Sequence, residues 1–179
     1  MKFYLVDKIE SVELGRRIVT VKALSMAEEY LADHFPAFPV LPGVMMLEAL
    51  TQSAAWLVRL EQNWANSVIV LSAAKNVRYA HFVQPGDLMR CDLEAMEIGP
   101  SGAKFKGTAT VGEHTTVTAR LELSCFNIKD KAPYLTGADE SILATLRKRW
   151  ELIGGPAAVR NAGSGIRDSG SGFSRRVDE

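Results

Sequence analysis

His34-Phe35-Pro36-Ala37-Phe38-Pro39-Val40-Leu41-Pro42-Gly43-Val44-Met45-Met46-Leu47-Glu48-Ala49-Leu50-Thr51-Gln52 joins a proline-laddered loop to an apolar segment that carries one carboxylate. Pro36, Pro39 and Pro42 fix three φ angles, remove three backbone donors and bias each preceding residue to extended geometry, so residues 34 to 42 read as a stiff loop. A helix can start only where the prolines end. Pro42 suits the first turn, and Val44 to Leu60 has no further Pro or Gly and seven Leu, Met or Trp side chains, which predicts one long helix over residues 43 to 62.

That helix has few polar residues, chiefly Glu48, Thr51, Gln52 and Ser53 and then Arg59 and Glu61, and no clear wet face, so burial nearly all round is expected. A carboxylate in such surroundings is costly unless paired or protonated, and a protonated carboxyl is what a general acid needs. Gln52, one turn on from Glu48, is placed to orient it. Plainer readings stand beside these: a hydrogen-bonded core Glu, a polar loop His, and Met and Leu side chains that are simply core.

Working outward, residues 2 to 9 and 15 to 24 read as a strand pair with Gly15 opening the second, and Met26 to Leu31 as a short helical turn leading to His34. After the helix, Val68-Ile69-Val70-Leu71 begins a buried strand. Three alternating strands follow. Met89, Cys91, Leu93 and Ala95 face one way, as do Ala103, Phe105, Ala109 and Val111, and Val117, Ala119, Leu121, Leu123 and Cys125. Gly99-Pro100-Ser101-Gly102 and Gly112-Glu113-His114 supply the turns. The result is an α+β architecture, an antiparallel sheet with one apolar face that must cover the long helix. A helix apolar on every side exceeds what one sheet face can bury, which favours a second subunit.

His34-Phe35-Pro36, Pro39, Pro42-Gly43-Val44, Glu48-Ala49 and Gln52 together resemble the signature of the FabZ-type 3-hydroxyacyl-[acyl-carrier-protein] dehydratases, which have a hotdog fold. Phe3 to Ile9 is similar to that family's opening strand and Val83-Gln84-Pro85-Gly86-Asp87 to its later Pro-Gly-Asp turn, so the likeness spans about residues 3 to 127. Ala37 stands where the family usually has Gly and Phe82 where a Pro is common. If the Gly position needs positive φ, Ala37 carries strain of roughly 1 kcal/mol.

The resemblance implies dehydration of 3-hydroxyacyl thioesters in fatty acid biosynthesis, the substrate carried on acyl carrier protein or CoA. In this sequence it implies His34 and Glu48 as the acid-base pair, with Gly43 and Gln52 binding substrate. It also implies edge-to-edge dimers, as a homodimer or a trimer of dimers, in which His34 of one subunit faces Glu48 of the other. Eight residues of stiff loop can span ~25 Å, so nothing forces the two together within one chain. Met45, Met46 and Trp56 are candidate liners of the acyl channel, and Lys75 and Arg78 candidate contacts for an acidic carrier. Other hotdog activities, thioester hydrolysis or enoyl-CoA hydration, and non-catalytic acyl-thioester binding are the alternatives.

Composition narrows the rest. The 179 residues are 47% hydrophobic, with 21 basic and 21 acidic side chains, which argues against a nucleic-acid binder. The helix is interrupted by Glu48, Gln52 and Arg59 and the N-terminus lacks a signal-peptide layout, so a cytoplasmic location without membrane insertion is expected. Cys91 and Cys125 fall at apolar strand positions without ligand spacing to a histidine, and no metal or other cofactor is expected. His81, before the Pro-Gly-Asp turn, reads as a surface residue, with a place on the rim of the site as the alternative, and His114, at a hairpin tip, reads as a solvated turn residue. The hotdog domain is expected over 1–130 and a helical extension over 131–153, where Ile142, Leu146, Trp150 and Ile153 form an apolar stripe. The 26 residues from Gly154 hold six Gly and four Ser and read as a disordered tail over 154–179.

Overall fold

The computed structural model describes residues 3–161 of the chain. Six strands form one antiparallel sheet in the order β1-β2-β4-β5-β6-β3. The strands are β1 (Lys8–Glu13), β2 (Arg17–Ala23), β3 (Val68–Tyr79), β4 (Leu88–Ile98), β5 (Gly102–Val111) and β6 (His114–Phe126). Helix α1 (Gly43–Glu61) lies in the curve of the sheet and touches β2, β3, β4, β5 and β6. The predicted alternation holds: Met89, Cys91, Leu93, Phe105, Ala109, Val117 and Leu121 are buried against Leu50, Ala54 and Leu57 of α1. A Cβ at Gly107 would lie 2.8 Å from Leu93 Cδ1 and 3.3 Å from Leu50 Cδ1, so glycine lets the helix settle onto β5.

Several local expectations are corrected. The first strand begins at Lys8, residues 3 to 7 lying ahead of it outside any regular element, and Gly15 sits in the β1–β2 turn at φ 68° instead of opening β2. The helical turn before the site is a 3-10 helix over Glu29–Ala32, three residues later than the pattern suggests. Strand β3 starts apolar but is not buried; in it only Ile69 is buried. Its hydrophobic run belongs to the edge of the sheet, open on the side away from β6. The helix α1 is buried from Ala49 to Arg59 apart from Gln52, while Val44 is 70% exposed and Glu48 only half-buried, so the first two turns have an uncovered side.

Downstream of the sheet come α2 (Ile128–Lys131), α3 (Ala138–Leu152) and α4 (Gly155–Asn161). Trp150 of α3 packs on Trp56 of α1 with ring centroids 5.9 Å apart, and Ile153 is buried as its stripe predicts. Residues 155–161 are helical where the sequence reads as the start of a tail, and Ala158 is buried; the remainder of that tail lies outside the described residues. The Ile153 carbonyl accepts a hydrogen bond from the Ile9 N–H at 2.8 Å, so the C-terminal helices close part of the β1 edge. The two ends of the sheet thus differ: β1 is partly covered, whereas among the described residues no strand pairs with the outer edge of β3. Among the described residues no helix is long and apolar enough to cross a membrane.

Candidate active site

His34 is held by its own loop. Its carbonyl accepts from the Val40 N–H at 3.1 Å and its ring Nδ1 lies 3.2 Å from the Val40 carbonyl oxygen. A carbonyl can only accept, so Nδ1 carries a proton, and in the neutral imidazole that tautomer leaves the lone pair on Nε2. The loop is tied down further by paired hydrogen bonds between Phe35 and Phe38 and by the Leu41 N–H to the Val83 carbonyl at 2.9 Å. Ala37 is not among the residues with positive φ, which outside glycine are Asn63, Trp64 and Asn76. The strain considered at that position is therefore absent.

His34 opens onto a cavity of about 490 Å³ that Gly43, Met46, Tyr79 and His81 also line. Gly43 is the first residue of α1, where a backbone N–H has no intrahelical acceptor and the helix dipole favours a negative charge. The Tyr79 ring lies against it: a Cβ on Gly43 would be 3.0 Å from Tyr79 Cε1. His81 is exposed and stacks on His114 with centroids 5.0 Å apart. Both therefore sit at the surface, and His81 also lies on the wall of this cavity, the rim position that its place before the Pro-Gly-Asp turn allows. Sequence reasoning passed over Tyr79 altogether, since a Tyr in a strand carries no signal that it faces a glycine 36 residues earlier.

Glu48 lines a different cavity of about 300 Å³, with Gln52, Trp56, Arg59, Ile69, Leu71 and Arg149 among its walls. Gln52 does orient it: the side-chain NH2 donates to Glu48 Oε1 at 2.9 Å and to the Phe3 carbonyl at 3.0 Å. Its side-chain oxygen accepts from the Leu5 N–H at 2.9 Å. The arm before β1 thereby fixes which way the amide points and hands Glu48 a donor. Of the candidate channel liners, Met46 lies in the His34 cavity, Trp56 in the Glu48 cavity and Met45 against the core. Lys75 is engaged by Glu122 at 2.5 Å, whose carboxylate it holds below the usual range, whereas Arg78 has no ion pair among the described residues. Burial pushes the Cys91 thiol up to about 12, as befits an inert core residue. No cluster of His, Cys, Asp and Glu suited to a metal occurs among the described residues.

The FabA-like domain model matches residues 1–120. The chain belongs to the FabZ-type dehydratase family. It is 36% identical over 119 residues to a protein of Pelotomaculum thermopropionicum named 3-hydroxyacyl-[acyl-carrier-protein] dehydratase FabZ, a match covering 66% of this chain and 85% of that one. A protein of the same name from Geobacillus thermodenitrificans is 38% identical over 109 residues, covering 61% and 75% respectively. Among solved structures, a chain of the dehydratase heterocomplex ApeI:P from Xenorhabdus doucetiae superposes with a TM-score of 0.58 at 16% identity, over 74% of this chain and 90% of that one. That likeness establishes the hotdog fold for this member.

Proposed function

We propose that this chain dehydrates 3-hydroxyacyl thioesters borne on acyl carrier protein to trans-2-enoyl thioesters in cytoplasmic fatty acid biosynthesis, as a dimer whose sites are shared between subunits. The observation that carries the composite site is the placement of the two cavities along β3. Tyr79, at the end of the strand, lines the His34 cavity, while Ile69, Val70 and Leu71, at its start, line the Glu48 cavity. Pairing two bare β3 edges antiparallel about a twofold axis sets the end of one strand beside the start of its mate. His34 of one subunit then meets Glu48 of the other. Phe35, Phe38 and Phe82 on the loops, Val44 on the first turn of α1 and Val70 on β3 are exposed apolar side chains, the kind of surface that partners cover, and Phe38 and Phe82 are in edge contact.

The chemistry follows from the groups. His34 Nε2, with its lone pair free, takes the C2 proton, which the thioester carbonyl acidifies. The Gly43 N–H at the helix start binds the carbonyl oxygen as enolate charge develops. Glu48 in its protonated form gives its proton to the 3-hydroxyl; the C3–O bond breaks, the C2–C3 double bond forms and water leaves. The imidazolium and the carboxylate then exchange a proton and the site is reset. Gln52 holds Glu48 in place through this cycle. Arg78, with its charge uncommitted, suits an acidic carrier better than Lys75 does.

The test is enoyl absorbance with 3-hydroxybutyryl thioesters of acyl carrier protein and of CoA. Turnover on the carrier protein is expected, with a loss of about 10²- to 10⁴-fold in either His34→Ala or Glu48→Gln while the fold is kept. Full activity in Glu48→Gln, or hydrolysis of a saturated acyl thioester in place of dehydration, overturns the assignment.

A further inference from the structure

The face of α1 that carries Glu48 ends at an arginine. Glu48, Gln52, Ala55 and Arg59 are spaced four, three and four residues apart, so they form one stripe, and all four line the same cavity. Eleven residues of helix separate Glu48 from Arg59 by ~16 Å along the axis. The walls between them, Trp56, Ile69, Leu71 and Leu146, are apolar.

Arg59 is 9% exposed and its buried Nε has no hydrogen-bond partner. Among the described residues no carboxylate lies within ion-pairing distance of it; its guanidinium rests 5.5 Å from the Trp56 ring centroid. Burial lowers its pKa to about 10, which leaves it a cation at neutral pH. The other arginine of the cavity is committed, since Arg149 donates to the Val6 carbonyl at 3.0 Å and lies 3.7 Å over the Tyr4 ring. A buried cation without a counter-charge is destabilising, and a plain hydrophobe would pack there at less cost. Its presence on the wall of the cavity that Glu48 also lines calls for an anion brought by the ligand.

We propose that the acyl chains this protein takes end in a carboxylate, which Arg59 receives while the 3-hydroxyl at the other end meets Glu48. This rests on the dehydratase reading above. The methylenes lie along the apolar walls, and the guanidinium gains a partner that none of the described residues supplies. A chain ending in a methyl group leaves the cation buried and unpaired, so discrimination comes from the penalty as well as from the contact.

The experiment compares medium-chain 3-hydroxyacyl thioesters of equal length, one ending in a methyl and one in a carboxylate, with wild type, Arg59→Lys and Arg59→Met. Wild type is expected to favour the carboxylate in kcat/KM by roughly 10- to 100-fold, as a charge-assisted hydrogen bond allows. Arg59→Met should lose that preference and turn over the methyl-ended chain at least as well as wild type, with no fall in Tm. Arg59→Lys should keep part of the preference. Equal or better use of the methyl-ended chain by wild type, which needs no variant, overturns the proposal, as does an equal effect of Arg59→Met on both chains. Binding of the saturated acyl-pantetheine analogues, read by quenching of Trp56 beside Arg59, separates the two layers. A carboxylate preference in binding without any dehydration contradicts the dehydratase reading and leaves charge recognition standing; dehydration without the preference does the reverse.

Discussion

The cavity around His34 is walled by its loop together with the start of α1 and the end of β3, the cavity around Glu48 by a helix face, and each holds half of the proposed acid-base pair. His34 owes its tautomer to a carbonyl six residues away in its own loop, a local device. Glu48 owes its donor to Gln52, whose amide is oriented by backbone groups 47 and 49 residues distant at Leu5 and Phe3. His34, the proposed base, is therefore preorganised by proline-restricted chain and Glu48, the proposed acid, by tertiary packing. Neither cavity contains what the other supplies, and the bare β3 edge runs between them.

This contrast can be broken at one cavity without touching the other. Gly43→Ala puts a methyl 3.0 Å from Tyr79 Cε1, and because that ring is 48% exposed it shifts and the chain still folds. Steady-state kinetics should show about a 10-fold fall in kcat from disturbing the thioester's seat, with ligand quenching at Trp56 unchanged and partial recovery in Gly43→Ala/Tyr79→Ala. An unaltered kcat would mean that the helix start does not hold the thioester.

Gln52→Met acts on the Glu48 side alone. It strands the Leu5 N–H and Phe3 carbonyl as well as Glu48, so calorimetry should find a lower Tm, with a stability loss of about 1–3 kcal/mol. Turnover should fall several-fold through the loosened acid. A loss of stability with kcat intact would reduce Gln52 to a structural tie.

The smallest effect is expected at the edge between the cavities. Pairing β3 with its copy about the strand midpoint sets residue 72 opposite Lys75 of the other chain, because 72 and 75 lie symmetrically within Val68–Tyr79. Ser72→Lys should raise the dimer dissociation constant several-fold by analytical ultracentrifugation, and Ser72→Asp should not. Identical behaviour of the two variants would place the twofold contact elsewhere.

How much of this was legible beforehand follows the range of the interactions. The long helix, the three alternating strands and the Trp150 stripe were readable because period and burial are local consequences of a single face. The Glu48–Gln52 contact was readable as an i, i+4 pair. The edge position of β3 was not, since an apolar run is compatible with a central strand or with an edge awaiting a partner, and only topology distinguishes them. The helix pattern predicted burial nearly all round and so favoured a second subunit; within the chain Glu48 is only half-buried. Tyr79 against Gly43 and the arm over Gln52 are long-range and left no periodic trace. Arg59 was noted as a polar interruption near the helix end; its place on the Glu48 stripe was there in the spacing.

The most direct test of the shared site mixes two inactive chains. His34→Ala and Glu48→Gln, unfolded and refolded together in equal amounts, form hybrid dimers in which one site carries both substitutions and the other carries neither. If the sites are shared across β3, dehydratase activity returns to about a quarter of wild type, since half of the dimers are hybrids with one intact site each. If His34 and Glu48 of the same chain work together, every site in the mixture stays defective and no activity returns.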